Sequence, residues 1–207
     1  LDAFGNNDPF CLSVSFKAPH VQDGNPPKYI VQKRYENYYK DETIPEPVTA
    51  DPEYWNSFPD FFRTNSNLGR KRWKGLFSTP DLYQENVKKY YELITGVDEV
   101  VGRMMKKISE MKLSDNTIII LMGDNGFMMG AHGLAGKWYG YEESIRVPLF
   151  IYDPALPDKI RKIRPQQIAL NIDIAPTILS MAGVPVPEGM QGKNLIGILE
   201  NKLPERK

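Results

Sequence analysis

TIIILM, residues 117–122, is a short run of apolar side chains between Ser114–Asn116 (SDN) and Gly123–Gly126 (GDNG). A run of this length and composition is typical of a strand that is covered on both faces, and such strands occur mainly in parallel sheets. Val147–Tyr152 (VPLFIY) is a second run of the same kind. The sequence therefore predicts an α/β fold with a mostly parallel central sheet flanked by helices.

Amphipathic periodicity predicts a long helix that begins at Asp81 and a shorter helix over Asn171–Met181, which is followed by Gly183. In the long helix, apolar residues recur at spacings of three and four, at Tyr91, Ile94, Val97, Val101, Met104, Met105, Ile108 and Met111. Charged residues take the other positions, at Lys88, Lys89, Glu92, Glu99, Lys106 and Lys107. This pattern predicts one buried face and one solvated face.

The first 80 residues have a different character. Pro9–Phe16 (PFCLSVSF) predicts a strand that runs into a loop at Lys17–His20, with Cys11 buried and inert inside the strand. Residues 21–80 are rich in proline and aromatic residues and predict an irregular excursion with short helical turns. We therefore divide one partial domain, 1–207, into residues 1–20, 21–80 and 81–207.

Composition excludes several classes of function. The chain has 207 residues with 26 Lys and Arg against 26 Asp and Glu, so it lacks the positive excess of a nucleic-acid-binding domain. No apolar run approaches the roughly 18 residues that a membrane span needs. The single cysteine excludes an internal disulfide framework and a multi-cysteine metal site.

Polar side chains follow two of the predicted strands, where ligands of parallel sheets bind. His20 comes after the first strand, and Asp124 and Asn125 come directly after residues 117–122. A carboxylate beside an amide oxygen suits a hard cation such as Ca²⁺ or Mg²⁺, although Asp, Asn and Gly are also the commonest turn formers. His132 and Lys137 follow on a glycine-rich loop, and a cation beside such donors suits an anionic substrate.

The stretch GDNGFMMGAHGLAGKWYGYEESIRVPLFIY, residues 123–152, resembles the sulfatase family. Members of this family carry Asp-Asn or Asp-His after a central strand, then Gly-x-His-Gly, Gly-Lys, Tyr-Glu and Arg-Val-Pro. Three further segments resemble the family in the same order: SVSFKAPH at 13–20, YYELITGVDEVVGRMMKKI at 90–108 and NIDIAPTILSMAGVPVPEGMQGKNL at 171–195. The resemblance implies a partial, layered α/β domain of the alkaline-phosphatase-like superfamily.

The resemblance also implies roles for individual residues. Asp124 and Asn125 match two calcium ligands of the family, with magnesium as a second possible ion. His20 matches the histidine that contacts sulfate and assists departure of the alcohol, and Lys137 matches the lysine that holds the sulfate oxygens. His132 either touches the leaving group of the substrate or forms a hydrogen bond inside a compact loop, and these two roles stay open.

Two family features are absent from the chain. Sulfatases use a formylglycine made from the Cys or Ser of a C-x-P-S-R motif, and Cys11, in Cys11-Leu12-Ser13-Val14-Ser15, does not match it. The paired aspartates of the family's first strand are missing too. We expect the nucleophile upstream of this chain, and we expect the chain alone to bind metal weakly and to be inactive.

The resemblance implies a parent protein that hydrolyses sulfate esters. Its expected partners are a sulfated small molecule or glycan and the remainder of the parent polypeptide, and the family suggests a periplasmic, secreted or lysosomal location. Two alternatives stay open. The parent either hydrolyses phosphodiesters or phosphonates on the same fold, or is a non-catalytic module that binds sulfate.

Two further groups of residues are predicted to be structural. Glu142 and Arg146, four residues apart, form an ion pair of small energetic value. Aromatic residues of the excursion would either line a sugar cleft or cover a core, and we favour the core for Tyr29, Tyr35, Tyr38, Tyr39, Tyr54, Trp55 and Phe58.

Overall fold

The computed structural model describes residues 9–160, 162–200 and 202, and divides the chain into two compact units, one up to Tyr152 and one from Asp153 onward. The first unit holds the helices α1 (Pro52–Asn56), α2 (Leu68–Leu76), α3 (Pro80–Glu110) and α4 (Glu142–Ile145) and the strands β1 (Ile119–Met122) and β2 (Leu149–Tyr152). The second unit holds α5 (Ile174–Met181) and α6 (Leu195–Leu199). The mixed α/β class predicted from the sequence is confirmed. In the part of the chain that the structure describes, no helix is both long and apolar enough to cross a membrane.

The long predicted helix is confirmed as α3. It begins after Thr79, whose hydroxyl oxygen accepts a hydrogen bond from the backbone N–H of Leu82 at 3.2 Å, and Pro80 occupies its first turn. Both features are common at helix N-termini, because the first N–H groups have no partner within the helix. Tyr83 and Val87 pack from α3 into the main core of the first unit.

Glu92 departs from the predicted face of α3. The sequence pattern places it on the solvated side, whereas its side chain is buried and accepts a hydrogen bond from the backbone N–H of Tyr38 at 3.1 Å. Burial raises the pKa of the Glu92 carboxyl above its ordinary value. Tyr91 and Ile94, predicted to be buried, are instead partly exposed.

The two strands pair antiparallel, with Ile119 opposite Tyr152 and Met122 opposite Leu149. The expected parallel pairing is therefore wrong for this pair. A parallel crossover needs a connecting segment that carries the chain back along the sheet, usually a helix, but residues 123–148 form compact loops with only the four-residue α4. The prediction that both strands are covered on both faces is also wrong. Strand β1 is half-buried throughout, and β2 alternates between half-buried and exposed residues.

The strand predicted over Pro9–Phe16 is absent from the described structure, and this prediction is wrong. A strand exists through a ladder of hydrogen bonds to a neighbouring strand, and no strand or β-bridge of the described residues includes residues 9–16. Cys11, predicted to be buried, is exposed, as are Leu12 and Val14.

The excursion over residues 21–80 folds around short helices, as predicted, and supplies much of the core. Tyr29 is buried with Leu76 and Phe77 in the main hydrophobic cluster, and Tyr35 is buried as well. Trp55 and Phe58 pack against a second buried cluster, formed by Met128, Ala131 and Leu134. The core role is therefore confirmed for Tyr29 and Tyr35, and it is wrong for Tyr38, which is exposed.

In the second unit, the predicted helix over 171–181 is confirmed as a 3-10 turn, Asn171–Asp173, that continues into α5. The buried carboxylate of Asp173 accepts hydrogen bonds from the backbone N–H groups of Leu170 and Lys193, each at 2.8 Å. Thr177 donates to the Asp173 carbonyl at 2.6 Å. Asp173 thus joins the turn before α5 to the segment that leads into α6.

Candidate active site

Lys137 and Asn125 form the centre of the candidate site. The Lys137 ammonium donates a hydrogen bond to the amide oxygen of Asn125, with Nζ and Oδ1 separated by 2.8 Å. The backbone N–H of Asn125 donates to Oδ1 of Asp124 at 2.8 Å, and the Asn125 amide nitrogen donates to the carbonyl of Gly126, also at 2.8 Å. The structure thus brings together three of the residues predicted from sequence, with the Asp124 side chain exposed.

The turn that carries these residues is fixed at both ends. Gly123 follows β1 and donates its N–H to the Pro148 carbonyl at 3.1 Å, while Gly126 donates to the Ser144 carbonyl of α4 at 2.8 Å. A β-carbon at Gly126 would collide with the carbonyl oxygen of Glu143. Only glycine therefore allows α4 to approach the turn this closely.

Lys137 lies at the end of a compact glycine loop, residues 128–136. Met128 donates its N–H to the Gly136 carbonyl at 2.8 Å, and Gly130 donates to Leu134 at 3.0 Å. Gly130, Gly133 and Gly136 all have positive φ values, which glycine adopts without a steric penalty. The hydrogen bonds within the loop therefore fix the position of its C-terminal end, which Lys137 follows.

Helix α2 holds this loop from the outside. The backbone N–H of Ala135 donates to the Gly69 carbonyl at 3.0 Å, and the Arg70 guanidinium donates to the Gly133 carbonyl at 2.8 Å. The same guanidinium lies over the rings of Trp55 and Trp73, at 4.4 and 3.7 Å from their centroids, and burial lowers its pKa. Sequence reasoning missed Arg70, because residues 21–80 lack the sustained periodicity that would have predicted α2.

His132 lies inside the protein rather than on an open surface. Its ring stacks on Tyr141 with centroids 4.3 Å apart, and Tyr54 meets it edge-on at 5.8 Å. Its Nε2 is 3.6 Å from a carboxylate oxygen of Glu143. His132 is thus held by ring contacts with Tyr54 and Tyr141, which lie outside the glycine loop. Both roles predicted for His132, contact with the leaving group and a hydrogen bond inside the loop, stay predictions.

His20 lies on a separate loop of the same unit. Its backbone N–H donates to the Lys17 carbonyl at 2.9 Å, and Nδ1 forms a hydrogen bond with the Val21 carbonyl at 2.5 Å. Among the residues that the structure describes, it forms no hydrogen bond with Asn125 or Lys137. The described contacts therefore join three residues of the site predicted from sequence directly, and His20 is not among them.

Three side chains connect the two loops. Asp23, three residues after His20 in the same loop, forms an ion pair with Arg72 at 2.5 Å. The hydrogen bond and charge of Arg72 lower the pKa of the Asp23 carboxyl. The Arg72 guanidinium lies 5.2 Å from the ring centroid of Trp138, which follows Lys137 in sequence. The His20 loop and the Lys137 loop are thus linked through α2.

A calcium ion would find suitable but few ligands here. The Asp124 carboxylate and the Asn125 amide are the oxygen donors that hard cations prefer, and Asn125 already directs Oδ1 toward a positive charge. Across residues 9–160, 162–200 and 202, no cluster of three or more His, Cys, Asp or Glu side chains could hold a metal ion. Since calcium takes about six to eight oxygens, these two residues fit as part of a ligand set.

Glu142 and Arg146 pair across α4 at 3.5 Å, and both side chains are mostly exposed. Their predicted structural pairing is confirmed. An exposed pair at this spacing contributes only about 0.3 to 0.5 kcal/mol.

Comparison with known proteins agrees with the fold and the motifs. A sequence model of the Sulfatase family matches residues 2–184. An arylsulfatase of Clostridium perfringens is 35% identical over 196 residues, which covers 94% of this chain and 38% of that protein. The chain thus spans well under half the length of this relative.

Two solved structures resemble the chain. One, in complex with its substrate D-glucosamine-2-N,6-O-disulfate, aligns with a TM-score of 0.63 and 24% identity over 89% of this chain and 46% of that one. The phosphonate monoester hydrolase of Agrobacterium radiobacter aligns with a TM-score of 0.56 and 31% identity, over 61% of this chain and 25% of that one. The fold is accordingly part of the alkaline-phosphatase-like α/β fold. Because the family model matches most of its residues, the chain belongs to the sulfatase family.

Proposed function

We propose that the parent protein hydrolyses sulfate esters of a small molecule or glycan, and that this chain supplies the part of the active site that binds sulfate. The hydrogen bond between Lys137 and Asn125 carries the proposal, because it places an ammonium beside the Asp124–Asn125 turn. Family membership supplies the class of reaction.

Lys137 binds the sulfate group in this proposal. As the S–O bond to the alcohol lengthens, negative charge grows on the departing oxygen while the sulfuryl group keeps its own charge. A preorganised ammonium stabilises such a group without reorganising at the moment of reaction. The closed glycine loop and the Asn125 contact hold Lys137 in place, so its orientation is set before substrate arrives.

Asp124 and Asn125 would hold calcium together with ligands from the rest of the parent. A bound divalent ion supplies positive charge that polarises the sulfate oxygens and orients the group. Asp124 would provide the charged ligand, and the Asn125 amide, whose oxygen accepts a hydrogen bond from Lys137, would provide a neutral one. The formylglycine expected upstream would supply the attacking oxygen.

His20 assists departure of the alcohol in this proposal. Its Nδ1 is hydrogen-bonded to a backbone carbonyl, which requires the proton on that nitrogen. A second proton on Nε2 is then the one that can pass to the leaving oxygen.

The test compares ester classes on the purified parent protein. We expect 4-nitrophenyl sulfate to be hydrolysed with a higher kcat/KM than 4-nitrophenyl phenylphosphonate or bis(4-nitrophenyl) phosphate. Hydrolysis of none of the three would contradict the proposal and favour a module that binds sulfate without turnover.

Phosphonate ester hydrolysis is a second candidate, since the chain resembles a phosphonate monoester hydrolase at 31% identity. Sulfate esters and phosphonate monoesters both present a tetrahedral anion to the same kinds of cation. A higher kcat/KM for the phosphonate ester in the same comparison would establish this candidate in place of the first.

A further inference from the structure

Trp138 is an exposed aromatic residue beside the candidate site. It follows Lys137 directly, and 47% of the residue is accessible to solvent. Its indole lies so close to Gly136 that a β-carbon on that glycine would collide with the ring. An exposed apolar surface of this size is thus held at a fixed place next to the residue proposed to bind sulfate.

The indole also lies near a residue of α2. Arg72, which is mostly buried, places its guanidinium 5.2 Å from the ring centroid and forms an ion pair with Asp23 at 2.5 Å. Asp23 belongs to the loop that carries His20. Arg72 therefore connects the ring of Trp138, next to the proposed sulfate-binding lysine, to the loop that carries the proposed acid.

The other two tryptophans have different surroundings from Trp138. Trp55 and Trp73 are partly buried and covered by the guanidinium of Arg70. Trp138 is the most exposed of the three tryptophans, all of which the structure describes. Packing explains Trp55 and Trp73, and it leaves the open surface of Trp138 unexplained.

We propose that Trp138 is a stacking platform for the ring of the substrate's alcohol portion. The inference rests on the proposed function, since it takes Lys137 as the sulfate contact and His20 as the group that faces the departing oxygen. A ring attached to that oxygen would extend from the sulfate toward the His20 loop and lie against the indole. Aromatic rings and the apolar faces of sugars both stack on tryptophan, so the recognised chemistry is a flat or apolar ring face.

Binding of non-hydrolysable probes to the parent protein tests the platform without any requirement for turnover. Phenylmethanesulfonate carries an aromatic ring, 6-deoxy-6-sulfoglucose carries a sugar ring, and inorganic sulfate carries neither. Calorimetric titration of the unchanged protein, Trp138→Ala and Trp138→Phe measures the affinity for each probe. Phe61→Ala is the control, because Phe61 is an exposed aromatic residue of the excursion.

We expect Trp138→Ala to weaken binding of at least one ring-bearing probe by about five- to tenfold, the scale of one aromatic stacking contact. Binding of inorganic sulfate should change by less than about twofold, and Trp138→Phe should retain most of the affinity for that ring. The weakened probe identifies an aryl or a sugar ring as the preferred group.

Equal weakening of all three probes in Trp138→Ala would overturn the platform, because the ring would then add nothing to the effect on sulfate. Unchanged binding of all three probes would also overturn the platform, and the proposed sulfate site would stand. A similar loss in Phe61→Ala would also overturn it, because the effect would then not belong to this loop. If the unchanged protein binds none of the three probes, the proposed function fails together with the platform.

Discussion

Lys137 and Asn125, twelve residues apart in sequence, are joined by a hydrogen bond of 2.8 Å between an ammonium and an amide oxygen. The bond links the end of the glycine loop to the turn after β1. An anion and a divalent cation that bind at this turn would both contact this pair of residues. The hydrogen bond between Lys137 and Asn125 therefore couples the glycine loop to the turn after β1.

Replacing Lys137 with alanine should lower the kcat for aryl sulfate hydrolysis by at least about a hundredfold, the effect of removing one group that stabilises developing negative charge. The measurement is steady-state hydrolysis of 4-nitrophenyl sulfate by the parent protein. Lys106→Ala is the matched control, because Lys106 is an exposed lysine of α3. Near-parental turnover by Lys137→Ala would reject the assignment.

Replacing Asp124 with alanine should raise the calcium concentration needed for half-maximal activity by at least about tenfold, because the turn loses its only charged ligand. Activity of the parent is measured after chelation and stepwise return of Ca²⁺, with Mg²⁺ in a parallel series. Asp115→Ala, a change in the turn before β1, serves as the control. An unchanged calcium requirement in Asp124→Ala would show that the ion binds elsewhere.

Two glycine substitutions should have opposite effects on stability. Gly126→Ala forces a β-carbon against the carbonyl of Glu143 and should destabilise the fold by about 1 to 3 kcal/mol. Gly102→Ala, within α3 and with no atom nearby, should stabilise it by about 0.5 to 1 kcal/mol. Urea unfolding of the parent measures both. Equal stability of the two variants would mean that α4 does not press on the turn.

Glu92 should make the folded state less stable as pH rises. Its folded-state pKa is raised by burial above the ordinary value of 4.5, so its contribution to stability is full below that pH and is lost as pH rises through the raised pKa. We expect Glu92→Gln to reduce the fall in unfolding midpoint as pH rises above the ordinary pKa of 4.5. Glu110→Gln, an exposed change near the end of α3, should leave the pH dependence unaltered. A pH profile that is the same in Glu92→Gln and the unchanged protein would contradict this.

The sequence was sufficient for elements that carry a local signal. Thr79 and Pro80 mark the start of α3, and its three- and four-residue spacing predicts the helix to within a residue at its N-terminus. The direction of β1 against β2 was not predictable in the same way. It depends on the path of residues 123–148, which is determined by positive-φ glycines and by hydrogen bonds to α4. No periodicity in the sequence predicts this path.

The residues of the candidate site also divide into those with a local sequence signal and those without one. Asp124, Asn125 and Lys137 could be found because they lie in motifs that are contiguous in sequence. Arg70 could not, since its partners are the Gly133 carbonyl and two tryptophan rings that only the folded chain brings near. Glu92 was misplaced because its partner is a backbone N–H at Tyr38, 54 residues away.

Helix α2 joins the excursion and the glycine loop into a single exchangeable module. Gly69, Arg70 and Arg72 contact Ala135, Gly133 and Trp138 respectively. A chimera that takes residues 21–80 from another member of the family must bring the matching loop with it. Swapping the excursion alone would leave Lys137 on a loop whose outer support has been removed.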